Sequence, residues 1–166
     1  MTSPYTRGDS LSSGASREHI RQALVDYGAT DVLFSQRGNL SAIAFRGGGR
    51  QFRIVVSLPG SDGTLASPGD TAEGPIREAK AKELERANRR FWHALSLAID
   101  AKLGAAAAGV ASLESEFLAH VVLPGNRTVL DELEPVIDSA YRSGRRPSFS
   151  DSAPSLKLAP AVPSFP

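Results

Sequence analysis

Cysteine is missing from the whole chain, which removes disulfides, thiolate zinc sites and thiol nucleophiles and fits a reducing compartment. Long apolar runs are missing too. The opening MTSPYTRGDSLSSGAS has no hydrophobic core of the kind a secretory signal needs, and no charge-free apolar run is as long as a bilayer crossing. A soluble, cytoplasmic protein with no membrane partner is expected. Net charge is also small: 19 Lys and Arg against 18 Asp and Glu leave +1, so any electrostatic argument must rest on local clustering. What is present is ordinary for a globular chain, with 41% hydrophobic and 22% charged residues. A length of 166 residues suits one domain with a real core.

The chemistry of catalysis is thin. No serine stands in a nucleophile-elbow sequence, and no pair of carboxylates stands apart from ordinary surface acids. The triple glycine at 47–49 lacks the lysine and the strand-to-helix context of a phosphate loop, and reads as a hairpin turn. Arg86, Arg89, His93 and Asp100 form the most site-like constellation, on one helix face. His93 and Asp100 are two turns apart, about 10 Å along the axis, which excludes a direct couple, so the stripe reads as solvated. Glu116 and His120 have the spacing of a helical metal pair, but no third ligand accompanies them. The chain is therefore expected to be no enzyme and to hold no cofactor or metal.

Residues 1–15 are rich in Ser, Thr and Gly, the composition of a disordered leader. A first helix is expected from Ser16, which can cap REHIRQALVDYG. Ile20, Ala23, Leu24 and Tyr27 share one face, and Gly28 can end the helix. DVLFSQ, LSAIAFR and RQFRIVVSL follow as strands joined by the RGN and GGG turns, an antiparallel meander. Alternation sends Ile43, Phe45, Phe52, Ile54, Val56 and Leu58 to one face, and Ala42, Ala44, Arg46, Gln51, Arg53 and Val55 to the other. Residues 59–74, dense in Gly, Pro, Ser and Asp, make a long connection.

Pro75 suits the first turn of a long helix. Its stripe is Leu84, Ala87, Phe91, Leu95 and Ala98, widened by Trp92, Ile99 and Leu103, so the helix passes from surface-lying to buried. Residues 104–109 predict either close approach of another backbone or a break near Gly109, with the break favoured. SLESEFLAHVVL reads as a second helix folding back on the first. Thr128 and Asp131 resemble a capping box for a last helix, VLDELEPVIDSAYRSG, in which Pro135 predicts a kink or a true start near Glu134. Residues 147–166 are a Pro- and Ser-rich tail without periodicity. The fold class is α+β within residues 16–146: a helix, a three-stranded meander, a long helix across the sheet, and two further helices. Double-stranded-RNA-binding domains share the α-β-β-β-α order, and single-strand annealing proteins similarly place a meander before a long helix, an analogy of fold alone.

Between Asp31 and Asp62 stand four arginines, Arg37, Arg46, Arg50 and Arg53, and no acid. Arg46 and Arg53 fall on the same exposed face, with Arg37 and Arg50 in the turns at its rims. Arg86, Arg89 and Arg90 form a second cluster on the long helix, and Arg142, Arg145 and Arg146 a third. Arginine forks suit phosphate oxygens, and clustering on one face is the footprint of nucleic-acid binding. The first reading is thus a non-enzymatic protein that binds nucleic acid, single-stranded by preference, through Arg37, Arg46, Arg50 and Arg53, with Arg86, Arg89 and Arg90 beside them. Phe45 and Phe52 point to the buried face, so stacking is missing and binding by charge alone is weak and salt-sensitive. The second reading is a protein-interaction module, a homo-oligomer or an inhibitor docking on a host protein. It rests on the small outer face of Ala42 and Ala44, the thin surface of 104–109, and a tail able to order on binding.

Four stretches, YGAT, FWHALSLAIDAKL, EFLAHVVLP and SAYRSGRRP, resemble a family of small uncharacterised proteins encoded in phages and prophages. The likeness runs from about Ser16 to Pro147. His93 and Asp100 stand where the family pattern has basic residues, and the alanine-glycine run where it has charged ones. The resemblance implies a phage accessory protein in the host cytoplasm, and no mechanism.

Overall fold

The computed structural model describes residues 12–60 and 75–147. Most of the expected leader, residues 61–74 of the connection and residues 148–166 of the tail lie outside the described residues. Helix α1 (Ser13–Tyr27) opens three residues before the expected start, because Ser12 and not Ser16 supplies the cap. The Ser12 hydroxyl accepts from the Ala15 amide at 3.0 Å. Ser16 is instead inside the helix and buried, one and two turns from Ile20 and Leu24 on the same face. Gly28 closes the helix as expected, its amide reaching back to the Leu24 and Val25 carbonyls.

Strands β1 (Thr30–Arg37), β2 (Leu40–Gly47) and β3 (Arg50–Ser57) pair antiparallel in the order β1-β2-β3. Phe45 lies opposite Phe52 and Ile43 opposite Ile54. All four are buried, on the face alternation assigned to the core. Against them pack Ile20 and Leu24 of α1, and Trp92, Ile99 and Leu103 of the long helix. A bulge between Thr30 and Leu33, with Asp31 at φ +54°, offsets the start of β1. The GGG turn has two jobs. Gly48 and Gly49 take positive φ to close the β2–β3 hairpin, and a side chain at Gly47 or Gly48 would collide with Leu113 or Glu114, which sit against the turn.

Helix α2 (Pro75–Ala107) opens at Pro75 as expected. From Arg77 to Phe91 it buries no residue, then Trp92, Ser96, Ile99 and Leu103 are buried. The buried line is rotated from the expected stripe: Phe91 and Leu95 are half-buried and Ala98 is exposed. The reason is that the second half of α2 must face the sheet and α1 together, with Trp92 meeting Phe34 of β1 at 6.4 Å between ring centroids. The helix ends where the break was favoured. Val110 donates to Ala105 and Gly109 to Ala106, with Gly109 at φ +73°. A Cβ at Gly104 would meet nothing within 4 Å among the described residues, so none of their backbone approaches there.

The expected second helix is present but short. Helix α3 (Leu113–Glu116) is a single turn capped by Ser112, followed by a 3-10 turn (Leu118–His120) and then by extended chain. Val121 bridges Phe52 in antiparallel fashion, and the Val122 amide donates to the Gln51 carbonyl at 2.8 Å. Strand β3 is an edge strand whose outer amides and carbonyls need partners, and a β-branched pair extends readily to supply them. Phe117 sets this segment on the core, edge-on to Phe45 at 5.6 Å and to Phe52 at 6.1 Å.

Helix α4 (Val129–Ser143) has the expected capping box: Thr128 accepts from the Asp131 amide while the Asp131 carboxylate accepts from the Thr128 amide. That carboxyl is held below its ordinary range, first by the Thr128 backbone hydrogen bond. The helix starts at Val129, not near Glu134, and continues through Pro135. A proline has no amide for the carbonyl four residues back. Here the Asp131 carbonyl accepts from the Arg127 guanidinium at 2.7 Å instead, which lets the helix run on.

Candidate interaction surface

Helices α1 and α2 lie on one face of the sheet, and no helix among the described residues packs on the other. Strand register arranges that open face in rows: Leu33 beside Ala44 beside Arg53, then Ser35, Ala42 and Val55, with Thr30, Arg46 and Gln51 toward one end. Its centre is therefore apolar. Leu33 is 65% and Val55 50% exposed, a high value for aliphatic side chains on neighbouring strands. The sequence placed Ala42, Ala44 and Val55 on this face. Leu33 was not assigned, since alternation was read on β2 and β3 alone.

Arg37, Arg46 and Arg53 share this face, while Arg50, two residues before the inward-facing Phe52, starts on the opposite one at the hairpin end. Arg37 stands at the β1–β2 turn and Arg50 at the β2–β3 turn, opposite ends of an eight-residue strand and so about 23 Å apart at 3.3 Å per residue. Both are exposed and make no ion pair or hydrogen bond among the described residues. Arg46 faces Asp31 at 3.4 Å with both side chains largely in solvent, a pairing worth about 0–1 kcal/mol. Arg53 has a different job. Its guanidinium donates to the Asn126 side-chain oxygen at 2.8 Å and the Asn126 carbonyl at 2.7 Å, with Asp131 at 4.0 Å. It ties the sheet edge to the turn before α4. At the hairpin end a hollow of about 420 Å³ is lined by the three glycines, Gly28, Thr30, Gln51, Arg46 and Arg50.

Arg86, Arg89 and Arg90 are on α2, in the helical layer, and do not join the open sheet face. Arg89 bonds Glu85 at 3.1 Å, while Arg86 and Arg90 are exposed. The stripe from Arg86 to Asp100 is less solvated than expected. His93 is half-buried, its Nδ1 shielded without a hydrogen-bond partner among the described residues. Asp100 bonds His19 of α1 at 2.6 Å, a contact between helices that spacing along one helix could not reveal. Two further arginines, Arg17 and Arg21, were not singled out in sequence. They stack on Phe34 at 5.4 and 5.0 Å, and Arg17 also on Trp92 at 5.1 Å, clamping α1 to β1 and α2.

Glu116 and His120 are not on one continuous helix: Glu116 ends α3, and His120 ends the following 3-10 turn. Glu116 takes Lys102, whose ammonium also donates to the Glu116 carbonyl at 2.7 Å. Burial, and then the Lys102 charge, hold the His120 imidazole below the ordinary histidine range. Among the described residues no three His, Cys, Asp or Glu side chains gather as a metal site, and no helix is long and apolar enough to cross a membrane. Comparison with family models, with curated proteins and with solved structures found no match to this chain.

Proposed function

We propose that this chain is a non-enzymatic interaction module that docks an acidic protein partner on its open sheet face. The observation that carries the reading is the arrangement of that face: Leu33, Ala42, Ala44 and Val55 at the centre, with Arg37 and Arg46 at its margins. An apolar centre depleted of charge with a polar, arginine-bearing rim is the anatomy of a protein interface. A partner with carboxylates spaced about an apolar patch complements it in shape and charge. In this reading the partner is a host protein and the setting the cytoplasm of an infected bacterium, which is what a likeness to phage- and prophage-encoded proteins implies; no comparison with known proteins supports that likeness.

Nucleic-acid binding is the second reading, favoured by the unpartnered Arg37 and Arg50. Against it, Arg53 is engaged by Asn126, Arg86 and Arg90 lie in the other layer, and Phe34, Phe45 and Phe52 are turned inward. On the open sheet face, among the described residues, a nucleic-acid strand therefore has charge to follow but no aromatic platform.

One experiment separates the two. The purified chain is titrated with labelled single- and double-stranded DNA and RNA across a salt series, and is used in parallel as bait in bacterial lysate, beside Leu33→Asp/Val55→Asp and Arg37→Glu/Arg50→Glu variants. The docking reading expects no tight nucleic-acid binding, and capture of an acidic protein that is lost with the apolar variant and rebinds the wild type when purified. Tight, steeply salt-dependent nucleic-acid binding, abolished by the arginine variant and untouched by the apolar one, replaces it with the second reading.

A further inference from the structure

The two edges of the sheet are treated differently. That of β3 is taken by Val121 and Val122, whereas β1, at the other end of the order, has no strand beside it among the described residues. The β1–β2 turn fixes which backbone groups of β1 face outward. Arg37 and Leu40 close a two-residue turn, and such a closing pair exchanges both hydrogen bonds. With period two, Arg37, Ser35 and Leu33 therefore bond β2, while Phe34 and Gln36 turn their N–H and C=O groups away from it. Two contacts agree with this phase: the Ser35 carbonyl accepts from the Ser41 hydroxyl of β2 at 3.3 Å, and the outward Val32 carbonyl accepts from the Arg21 guanidinium at 2.9 Å. The backbone groups of Phe34 and Gln36 on that edge have no partner among the described residues. The bulge between Thr30 and Leu33 blunts the start of the edge. From Leu33 to Arg37 nothing guards it, neither proline, lysine nor a further bulge.

Positive charge lines the same edge. Arg17 and Arg21 lie over the Phe34 ring, and Arg17 also over Trp92, so both guanidinium groups are held on the helix side of β1. Arg21 is occupied by the Val32 carbonyl and, at 3.6 Å, by Glu18. Arg17 makes no ion pair or hydrogen bond among the described residues, and its fork is free. On the other side of the strand stand the exposed Leu33 and, at the turn, Arg37.

We infer that β1 is a strand-addition site whose occupant is an extended segment of the acidic partner, with carboxylates on the side facing α1 and apolar side chains on the side of Leu33. The inference rests on the docking reading and adds how the partner is held. Unpaired N–H and C=O groups at every second residue are met in full by another extended backbone. Side chains of an added strand alternate between the two sides of the sheet. Every second one therefore comes to the side of Arg17, and those between them continue the apolar open face. A carboxylate can accept two parallel bonds from the Arg17 fork, and the stacking that already holds the guanidinium lowers the cost of ordering it. Edge and face then form one continuous surface, joined at Leu33.

The probe is a labelled synthetic peptide of about eight residues that alternates Val and Glu and is capped at both ends. It is titrated into the full chain, and amide exchange is followed by NMR. The expected result is saturable binding that slows exchange at the Phe34 and Gln36 amides about tenfold or more, with no binding of a Val-Lys peptide. Arg17→Met keeps the packing on Phe34 and Trp92 but lacks the fork, and should weaken binding about tenfold. Peptide N-methylation supplies the sharper arm. Methyl groups on one alternate set of amides should abolish binding and on the other set leave it, since only one edge of the peptide faces β1. Absence of binding, equal binding of the Val-Lys peptide, or binding indifferent to which set is methylated overturns the inference. Binding that shifts the resonances of Ala42, Ala44 and Val55 while exchange at Phe34 and Gln36 is unchanged overturns it too, and leaves docking on the open face standing. Capture from lysate tests the docking reading without reference to the edge, so the two can fail separately.

Discussion

Replacing Arg53 by alanine is expected to loosen the fold, although the residue looks like part of a binding face. Its guanidinium makes two short hydrogen bonds, 2.8 and 2.7 Å, to Asn126. A hydrogen bond to a charged group contributes about 1.5–3 kcal/mol where the vacated partner is left dry. Asn126 is exposed, however, and the Arg53 side chain is 26% exposed, so water takes over the acceptors. Asp131 at 4.0 Å adds little. The expected cost is thus at the low end, about 1–2 kcal/mol for the pair of bonds. Arg53→Lys keeps the charge but reaches only one acceptor at a time, and should recover about half. Urea denaturation measures this directly, as a midpoint lowered by about 0.5–1 M at unchanged slope. Amide exchange at Val122, whose bond to Gln51 lies beside the fork, should quicken in parallel. An unchanged midpoint for Arg53→Ala would refute the idea that the fork holds the 121–128 segment to the sheet. The same reasoning decides how the face is probed: charge reversal at Arg37 and Arg50 reports on binding, whereas reversal at Arg53 reports on folding first.

Phe117→Ala should cost about 3–5 kcal/mol, as for other buried aromatics, since its ring is 1% exposed between Phe45 and Phe52; a Leu variant that unfolds at the same denaturant concentration as the Ala variant would contradict the packing role. Arg127→Met and Pro135→Ala should couple in a double-mutant cycle, because the Arg127 bond to the Asp131 carbonyl matters only while residue 135 lacks an amide; additive effects on thermal stability would disprove the link. For His120 the folded imidazole, depressed by burial and by Lys102, resists protonation, while the unfolded chain takes up a proton below about 6.5. Its contribution is therefore intact above that pH and declines as pH falls through the lower folded value. Denaturation measured from pH 8 to 5 should show this loss, and His120→Gln should flatten it.

Legibility followed the range of the interactions. The meander, its turns and its two faces were readable because strand alternation has period two and the GGG turn announces its own geometry, so Ile43, Phe45, Phe52 and Ile54 fell to the core without reference to anything distant. The Thr128–Asp131 capping box and the stop near Gly109 were readable for the same reason, being settled within a few residues. The expected helix over SLESEFLAHVVL is present only in its first turns, because its latter part pairs with the edge of β3, some seventy residues earlier. Of the two expectations at Pro135, a kink or a start near Glu134, the later start is set aside, because the substitute donor, Arg127, lies outside the helix and spacing could not reveal it.

Sequence alone determined the order of elements, the core face of the sheet, the α+β class and the absence of thiol chemistry, since each depends on local periodicity or on composition. Tertiary structure decided which charges are free. Arg53 and Asp100 were indistinguishable in sequence from exposed neighbours, and became engaged only when Asn126 and His19 were brought to them across the fold. It also decided which apolar surfaces no other described element covers: alternation and helical periodicity define a face, but what is laid upon it depends on where every other element has gone.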